Sequence, residues 1–184
     1  MELNQIINKH CLEGLKELPD GSINCCVTSP PYFGLRDYGH EDQIGLEETP
    51  EDYIESLVNV FREVKRVLTD DGTLWLNLGD SYAGSGMGAA NYPELAGDFQ
   101  KSNKGSFTAK GRGGFTYGLK QKDLIGIPWM AAFALRQDGW YLRQDIIWQK
   151  PNPMPESVKD RCTKSHEYIF LLSKSKRYFF DYEA

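Results

Sequence analysis

Residues 23–78 place the tightest limit on the fold: two short apolar runs flank one long amphipathic segment. Ile23–Thr28 is compact and β-branched, the pattern of a strand buried on both faces. Thr73–Leu78 is a second run of the same kind. Between them, Thr49 is an N-cap, Pro50 sits in the first turn where its missing N–H costs nothing, and Asp52 adds favourable negative charge there. Ile54, Leu57, Val58, Phe61, Val64 and Leu68 make one apolar stripe over a helix at 50–68, and Asp71-Gly72 closes it. Strand, crossover helix and strand predict a right-handed βαβ unit, hence a parallel sheet. Open sheets of this type place ligands at the carboxyl ends of their strands. Those ends carry Ser29-Pro30-Pro31-Tyr32 and Gly79-Asp80-Ser81-Tyr82.

The flanking segments extend the α/β pattern. Residues 3–8 read as a short strand, followed by a small helix with Leu12, Leu15 and Leu18 that stops at Pro19. Residues 33–48 read as an irregular acidic loop. A helix runs from Pro128 through Trp129, Phe133 and Leu135 to Asp138-Gly139. Trp140–Trp148 and Glu167–Leu172 are two more strands, joined by a loop holding Pro151, Pro153 and Pro155. Tyr178-Phe179-Phe180 is expected to complete a closing hairpin. Residues 84–122 break the pattern, with 9 of the 18 glycines, 6 Lys/Arg against 2 acids, and scattered aromatics. Such a segment is either a disordered surface insertion or a flap facing nucleic acid.

At 184 residues the chain fits one domain, 1–184, with that basic Gly-rich insertion at 84–122. No run of eighteen apolar residues exists and Met1 leads into polar residues, which excludes a membrane-spanning helix and a signal peptide. Cys11, Cys25, Cys26 and Cys162 show no metal-like spacing. They read as reduced, buried thiols of a cytoplasmic protein, so a zinc enzyme is not expected. The net charge of −5 conceals an asymmetry: residues 1–83 hold 6 Lys/Arg against 16 Asp/Glu, whereas residues 84–184 hold 15 against 10. A local basic surface can still bind a polyanion, because exposed charges are screened beyond roughly 8–10 Å. Charge alone decides nothing further.

Ser29-Pro30-Pro31-Tyr32 carries the chemistry. Two prolines in succession strip the backbone of N–H donors and leave carbonyls that can only accept. A serine hydroxyl beside a proline carbonyl suits a group with two hydrogens to give, such as the exocyclic amino group of a nucleobase. Tyr32 offers a flat face for stacking that base, worth roughly 1–3 kcal/mol. On four residues alone, a rigid turn with a surface tyrosine explains the pattern as well.

The tetrapeptide has company. It resembles the catalytic motif (Asp/Asn/Ser)-Pro-Pro-(Tyr/Phe) of the amino-group DNA methyltransferases, which modify cytosine N4 or adenine N6. Thr73–Tyr82, Gly139–Asn152 and His166–Lys174 are similar to later segments of that family, in the same order. The resemblance runs over nearly the whole chain and is weakest at 84–122. It implies an α/β fold, a partial Rossmann-like S-adenosylmethionine-dependent methyltransferase sheet, mostly parallel with an antiparallel hairpin. It also implies methyl transfer from S-adenosylmethionine to an amino group of a base flipped out of double-stranded DNA. Ser29 and the Pro30 carbonyl would accept that group's hydrogens, Pro31 would stiffen the turn, and Tyr32 would stack on the base. Asp80 would orient Ser29 or accept a proton, or simply cap the turn that follows. Serine at the motif's head favours cytosine N4, with adenine N6 the alternative. A catalytically inactive DNA-binding or complex-forming fragment is the rival class.

Two departures from the family pattern matter. Where the family places an acid beside the cofactor's adenine, this chain has His10, which is either the candidate cofactor contact or an ordinary surface histidine. The family's glycine loop, Phe-x-Gly-x-Gly, is not found before Ala184, and Gly84-Ser85-Gly86-Met87-Gly88 follows the wrong strand. By resemblance, the chain supplies strands 3, 4, 5, 6 and 7 of a 3-2-1-4-5-7-6 sheet. Strand 4 would then be an open edge, inviting a second copy or a complementing segment.

Overall fold

The computed structural model describes residues 4–35, 37–84, 118–153 and 155–183. In chain order they form α1 (Cys11–Lys16), β1 (Ile23–Thr28), α2 (Pro50–Val67), β2 (Leu68–Leu78), α3 (Ile127–Gln137), β3 (Tyr141–Gln149) and β4 (His166–Ser173). The described strands make one sheet in the order β1-β2-β4-β3. β1 and β2 pair in parallel, as their crossover helix requires. β4 returns from β3 and inserts between β3 and β2, so it is antiparallel to both. The sheet is therefore mixed, with one parallel and two antiparallel pairs among the described strands, and the expectation of a mostly parallel sheet is corrected.

Thr49 caps α2 as expected, its Oγ1 accepting the Asp52 amide at 3.1 Å. The buried stripe of α2 includes Tyr53, Ile54, Leu57, Phe61, Val64 and Val67. All of these but Val67 meet Leu74, Leu76 and Leu78 of β2 and Phe170 and Leu172 of β4 in one core. Each fully buried side chain of this size contributes roughly 1.5–3 kcal/mol, so this layer holds the helix to the sheet. Trp129 of α3 extends it with edge-on contacts to Tyr168 and Phe170, at 5.6 and 5.2 Å between ring centroids.

The opposite face of the sheet is more open. β1 is at most half-buried, at Ile23, Cys26 and Thr28: Val27 is 79% exposed and Cys25 is exposed, because no described helix or strand covers them. The expectation of a strand buried on both faces is corrected accordingly. The four cysteines are free thiols, three exposed and Cys26 half-buried, so they are not the buried set expected. Burial pushes the Cys26 thiol up to about 11.

Residues 4–9 form no strand, and Ile6 is 98% exposed; without a neighbouring strand the backbone there has no ladder to join. α2 passes directly into β2 at Leu68, so Asp71 and Gly72 lie inside the strand, where its register with β1 shifts. Tyr178-Phe179-Phe180 makes no hairpin strand; the Phe179 amide donates to the Asp71 carbonyl of β2 at 3.0 Å, and Tyr178 lies against Arg143 of β3. Within the insertion expected at 84–122, residues 85–117 lie outside the described residues. Tyr82 and Leu124, on either side of it, form an isolated antiparallel bridge. No described helix is long and apolar enough to cross a membrane.

Candidate active site

Ser29-Pro30-Pro31-Tyr32 begins where β1 ends, and neighbouring elements hold its backbone in place. The Tyr53 hydroxyl, rising from the buried face of α2, donates to the Pro31 carbonyl at 2.8 Å. Burial, with Glu47 and Tyr32 nearby, raises the Tyr53 phenol above its ordinary value, so it remains a neutral donor. The Leu35 amide donates to the Tyr32 carbonyl at 3.3 Å. Gly45, at φ +103°, lies so close that a Cβ there would stand 3.1 Å from the Tyr32 carbonyl oxygen. The Pro31 and Tyr32 carbonyls are thus engaged, and among the described residues no donor reaches the Pro30 carbonyl. Two acceptors from consecutive residues remain just after the strand: Ser29 Oγ and the Pro30 oxygen.

Tyr32 reaches across the ends of two strands. Its hydroxyl lies 2.9 Å from Asn77 Oδ1 on β2, 3.0 Å from Glu167 Oε2 on β4, and 3.5 Å from Ser29 Oγ. A phenol has one proton, so it serves one of the two acceptors at a time while its own oxygen can take the Ser29 proton. Asn77 Nδ2 in turn donates to Glu167 Oε2 at 3.3 Å and to the Tyr168 carbonyl at 3.1 Å. The other Glu167 oxygen pairs with Lys150 Nζ. Burial, helped by the Glu167 charge and opposed by Ser29, pushes the Tyr32 phenol up to about 12, which keeps it protonated. Burial alone would raise Glu167, but hydrogen bonds from Lys150, Tyr32 and Asn77 outweigh it and hold the carboxyl below its usual value.

Asp80, at the end of β2, is a helix cap. Its Oδ1 accepts the amides of Ser81, Gly126 and Ile127 at 3.0, 3.0 and 3.1 Å, tying the strand end to the start of α3. Among the described residues no hydrogen bond joins Asp80 to Ser29, and none occupies Asp80 Oδ2. Lys164, on the loop entering β4, feels Asp80, Glu167 and Glu156; its partial burial nevertheless lowers its pKa. His10 stands at the N-cap of α1 without capping it through its side chain. It lines a cavity of about 440 Å³ with Ser29, Pro30 and Pro31, walled by Leu15, Leu18, Phe61 and Val64.

Four residues of this site escape a reading along the chain. Tyr53 hides in the apolar stripe of α2, and Lys150 flanks a proline-rich loop. Asn77 is a polar residue within Leu74–Leu78, the one local signal available. Glu167 gains its place only when β4 lies beside β2.

The family model described as DNA methylase matches residues 23–184. The chain therefore belongs to the N6/N4 DNA methylase family. It is 54% identical over 186 residues to Type II methyltransferase M.Cfr9I of Citrobacter freundii, covering 100% of this chain and 59% of that protein. The Thermus thermophilus protein TTHA0409, complexed with S-adenosyl-L-methionine, superposes with a TM-score of 0.57 at 21% identity, covering 94% of this chain and 54% of that one. PvuII DNA methyltransferase (cytosine-N4-specific) superposes with a TM-score of 0.59 at 18% identity, covering 91% and 48%. These two structures share the methyltransferase fold with this chain. The chain spans about half to three-fifths of the length of these proteins.

Proposed function

We propose that this chain forms the catalytic side of a Type II DNA methyltransferase that methylates an exocyclic amino group, cytosine N4 ahead of adenine N6. The single observation that carries the reading is the pair of acceptors at the end of β1: Ser29 Oγ and a Pro30 carbonyl that no described donor engages. An amino nitrogen in a base is a poor nucleophile because its lone pair is delocalised into the ring. Two acceptors on its hydrogens favour a tetrahedral nitrogen and return the lone pair. The turn is rigid before substrate arrives, since Tyr53 and Gly45 fix it, so its effect is positioning and preorganised electrostatics. Tyr32 meets the extruded base at the mouth of the site.

S-adenosylmethionine supplies the electrophilic methyl group when bound. The 440 Å³ cavity has the size of a small-molecule site, and its apolar wall suits a flat heterocycle. His10 and the wall formed by Leu15 and Leu18 would hold the adenosine portion. Asp80 acts here as a positioning residue, fixing the end of β2 against α3. The serine at the head of the motif favours cytosine N4.

The partners are double-stranded DNA and a complementing element that joins the free edge of β1. Among the described residues β1 pairs with β2 alone, and Val27 on it is exposed. Nucleoside mass spectrometry of DNA incubated with S-adenosylmethionine and the assembled enzyme tests the reading. N4-methylcytosine supports it; N6-methyladenine alone moves the substrate to the other base; cytosine C5 methylation overturns it.

A further inference from the structure

Ser29 must accept a hydrogen from the amino group, yet a free serine hydroxyl can point its own proton at the incoming base and repel it. A row of contacts behind Ser29 can set that direction. Ser29 Oγ lies 3.5 Å from the Tyr32 hydroxyl oxygen, a long contact through which it can donate, and the Tyr32 hydroxyl can donate onward to Glu167 Oε2 at 3.0 Å. Glu167 is an ionised carboxylate and can only accept, and Lys150 on its other oxygen keeps it charged. Asn77 Oδ1, at 2.9 Å, is the alternative acceptor for the single Tyr32 proton, and Asn77 Nδ2 donates to Glu167 at 3.3 Å.

We propose that Glu167 is a positioning residue for methyl transfer. It is the fixed acceptor at the end of a Ser29–Tyr32–Glu167 hydrogen-bond chain, which turns the Ser29 proton away from the base and leaves the Ser29 lone pairs facing it. Three observations support a directed chain over an ordinary surface ion pair. Glu167 comes from β4 and Ser29 from the end of β1, so the chain spans three strands of the sheet. The Glu167 side chain is 17% exposed, against 44% for Lys150, so the carboxylate is the sheltered partner. Gly79 lets the Tyr32 ring pack directly on the end of β2, since a Cβ there would meet the ring at 2.5 Å. The catalytic part of the inference rests on the methyl-transfer reading; the hydrogen-bond chain does not.

The test pairs kinetics with spectroscopy. In the assembled enzyme, Tyr32→Phe and Glu167→Leu should each lower the single-turnover methyl-transfer rate about 10- to 100-fold, as expected for a misaligned reacting group. Cofactor KM should stay close to wild type. The double variant should fall no further than the worse single one, because both break one chain. Glu167→Gln, which keeps an accepting oxygen, should recover most of the rate. Wild-type rates for Glu167→Leu, or a double variant that loses the product of the two single losses, overturn the proposal. The second arm needs no activity: the chain is labelled with 13Cζ-tyrosine, and the Tyr32 resonance is the one absent from Tyr32→Phe. Glu167→Leu should move that resonance and Glu167→Gln should leave it near its wild-type position. If wild type transfers no methyl group, the methyl-transfer reading fails while a moved Tyr32 resonance upholds the chain. An unmoved resonance overturns it.

Discussion

The ring of Tyr32 rests against the α-carbon of Gly79, so closely that a methyl group added at residue 79 would stand 2.5 Å from Tyr32 Cε2. The residue after β2 thus sets where the residue after Pro30-Pro31 can lie. Gly79→Ala should displace Tyr32 and strain the site, costing about 1–3 kcal/mol of stability as an overpacked contact. Methyl transfer should fall more steeply than the thermal midpoint. Measuring both on one preparation checks this; an active Gly79→Ala enzyme would show that Tyr32 need not occupy this position.

Tyr53→Phe keeps the ring that packs against Phe33, at 5.5 Å between centroids, and removes only the hydroxyl on the Pro31 carbonyl. Loss of that bond should cost about 0.5–1.5 kcal/mol in denaturant unfolding. Turnover should also drop, because the Pro31 carbonyl becomes a competing acceptor beside that of Pro30. Unchanged turnover with lowered stability would confine Tyr53 to the core.

Asp80 separates capping from chemistry. Asp80→Ala removes the acceptor for three amides and should cost about 0.5–2 kcal/mol, the range for a lost N-cap. Asp80→Asn keeps an accepting oxygen and should remain near wild-type stability and retain activity. A folded but inactive Asp80→Asn enzyme would make Asp80 a chemical participant instead.

Glu167 predicts an acid limb in stability. Its folded pKa is depressed, so its contribution is complete above the unfolded glutamate value of about 4.3 and is lost as pH falls through the lower folded value. Glu167→Gln should flatten that part of the pH–stability curve. Chemical unfolding followed between neutral and acid pH measures it, and an unaltered acid limb would remove Glu167 from the balance.

Much of this was legible along the chain. The capped, amphipathic α2 and the two apolar runs around it specify a parallel pair, and Ser29–Tyr32 falls at its ligand-binding end. Less legible was anything that depends on what lies beside a strand. Ile23–Thr28 looks doubly buried because its composition is apolar on both faces, yet burial needs a cover that the described residues do not provide for Val27. The mixed sheet follows from β4 inserting between β2 and β3, a choice that local periodicity does not encode. The Tyr32–Glu167 contact joins residues 135 positions apart, so no spacing rule reaches it.

The exposed side of β1 predicts dependence on a complement. The purified chain alone should show no detectable methyl transfer and weak affinity for S-adenosylmethionine, since aligning methyl donor and amino group accounts for roughly 7–11 kcal/mol of barrier reduction. Tritiated methyl transfer to unmethylated DNA, with and without the complementing segment, checks this. Robust transfer by the chain alone would place the whole cofactor site within these 184 residues.

The central claim is that Ser29 and the Pro30 carbonyl accept the hydrogens of a base amino group. Its most direct test is the amount and identity of methylated nucleoside formed by wild-type and Ser29→Ala enzyme at equal DNA occupancy. The account predicts N4-methylcytosine from wild type and a steep loss with Ser29→Ala, while duplex affinity hardly changes. Equal yields from the two enzymes, or a methyl group on ring carbon, would contradict it.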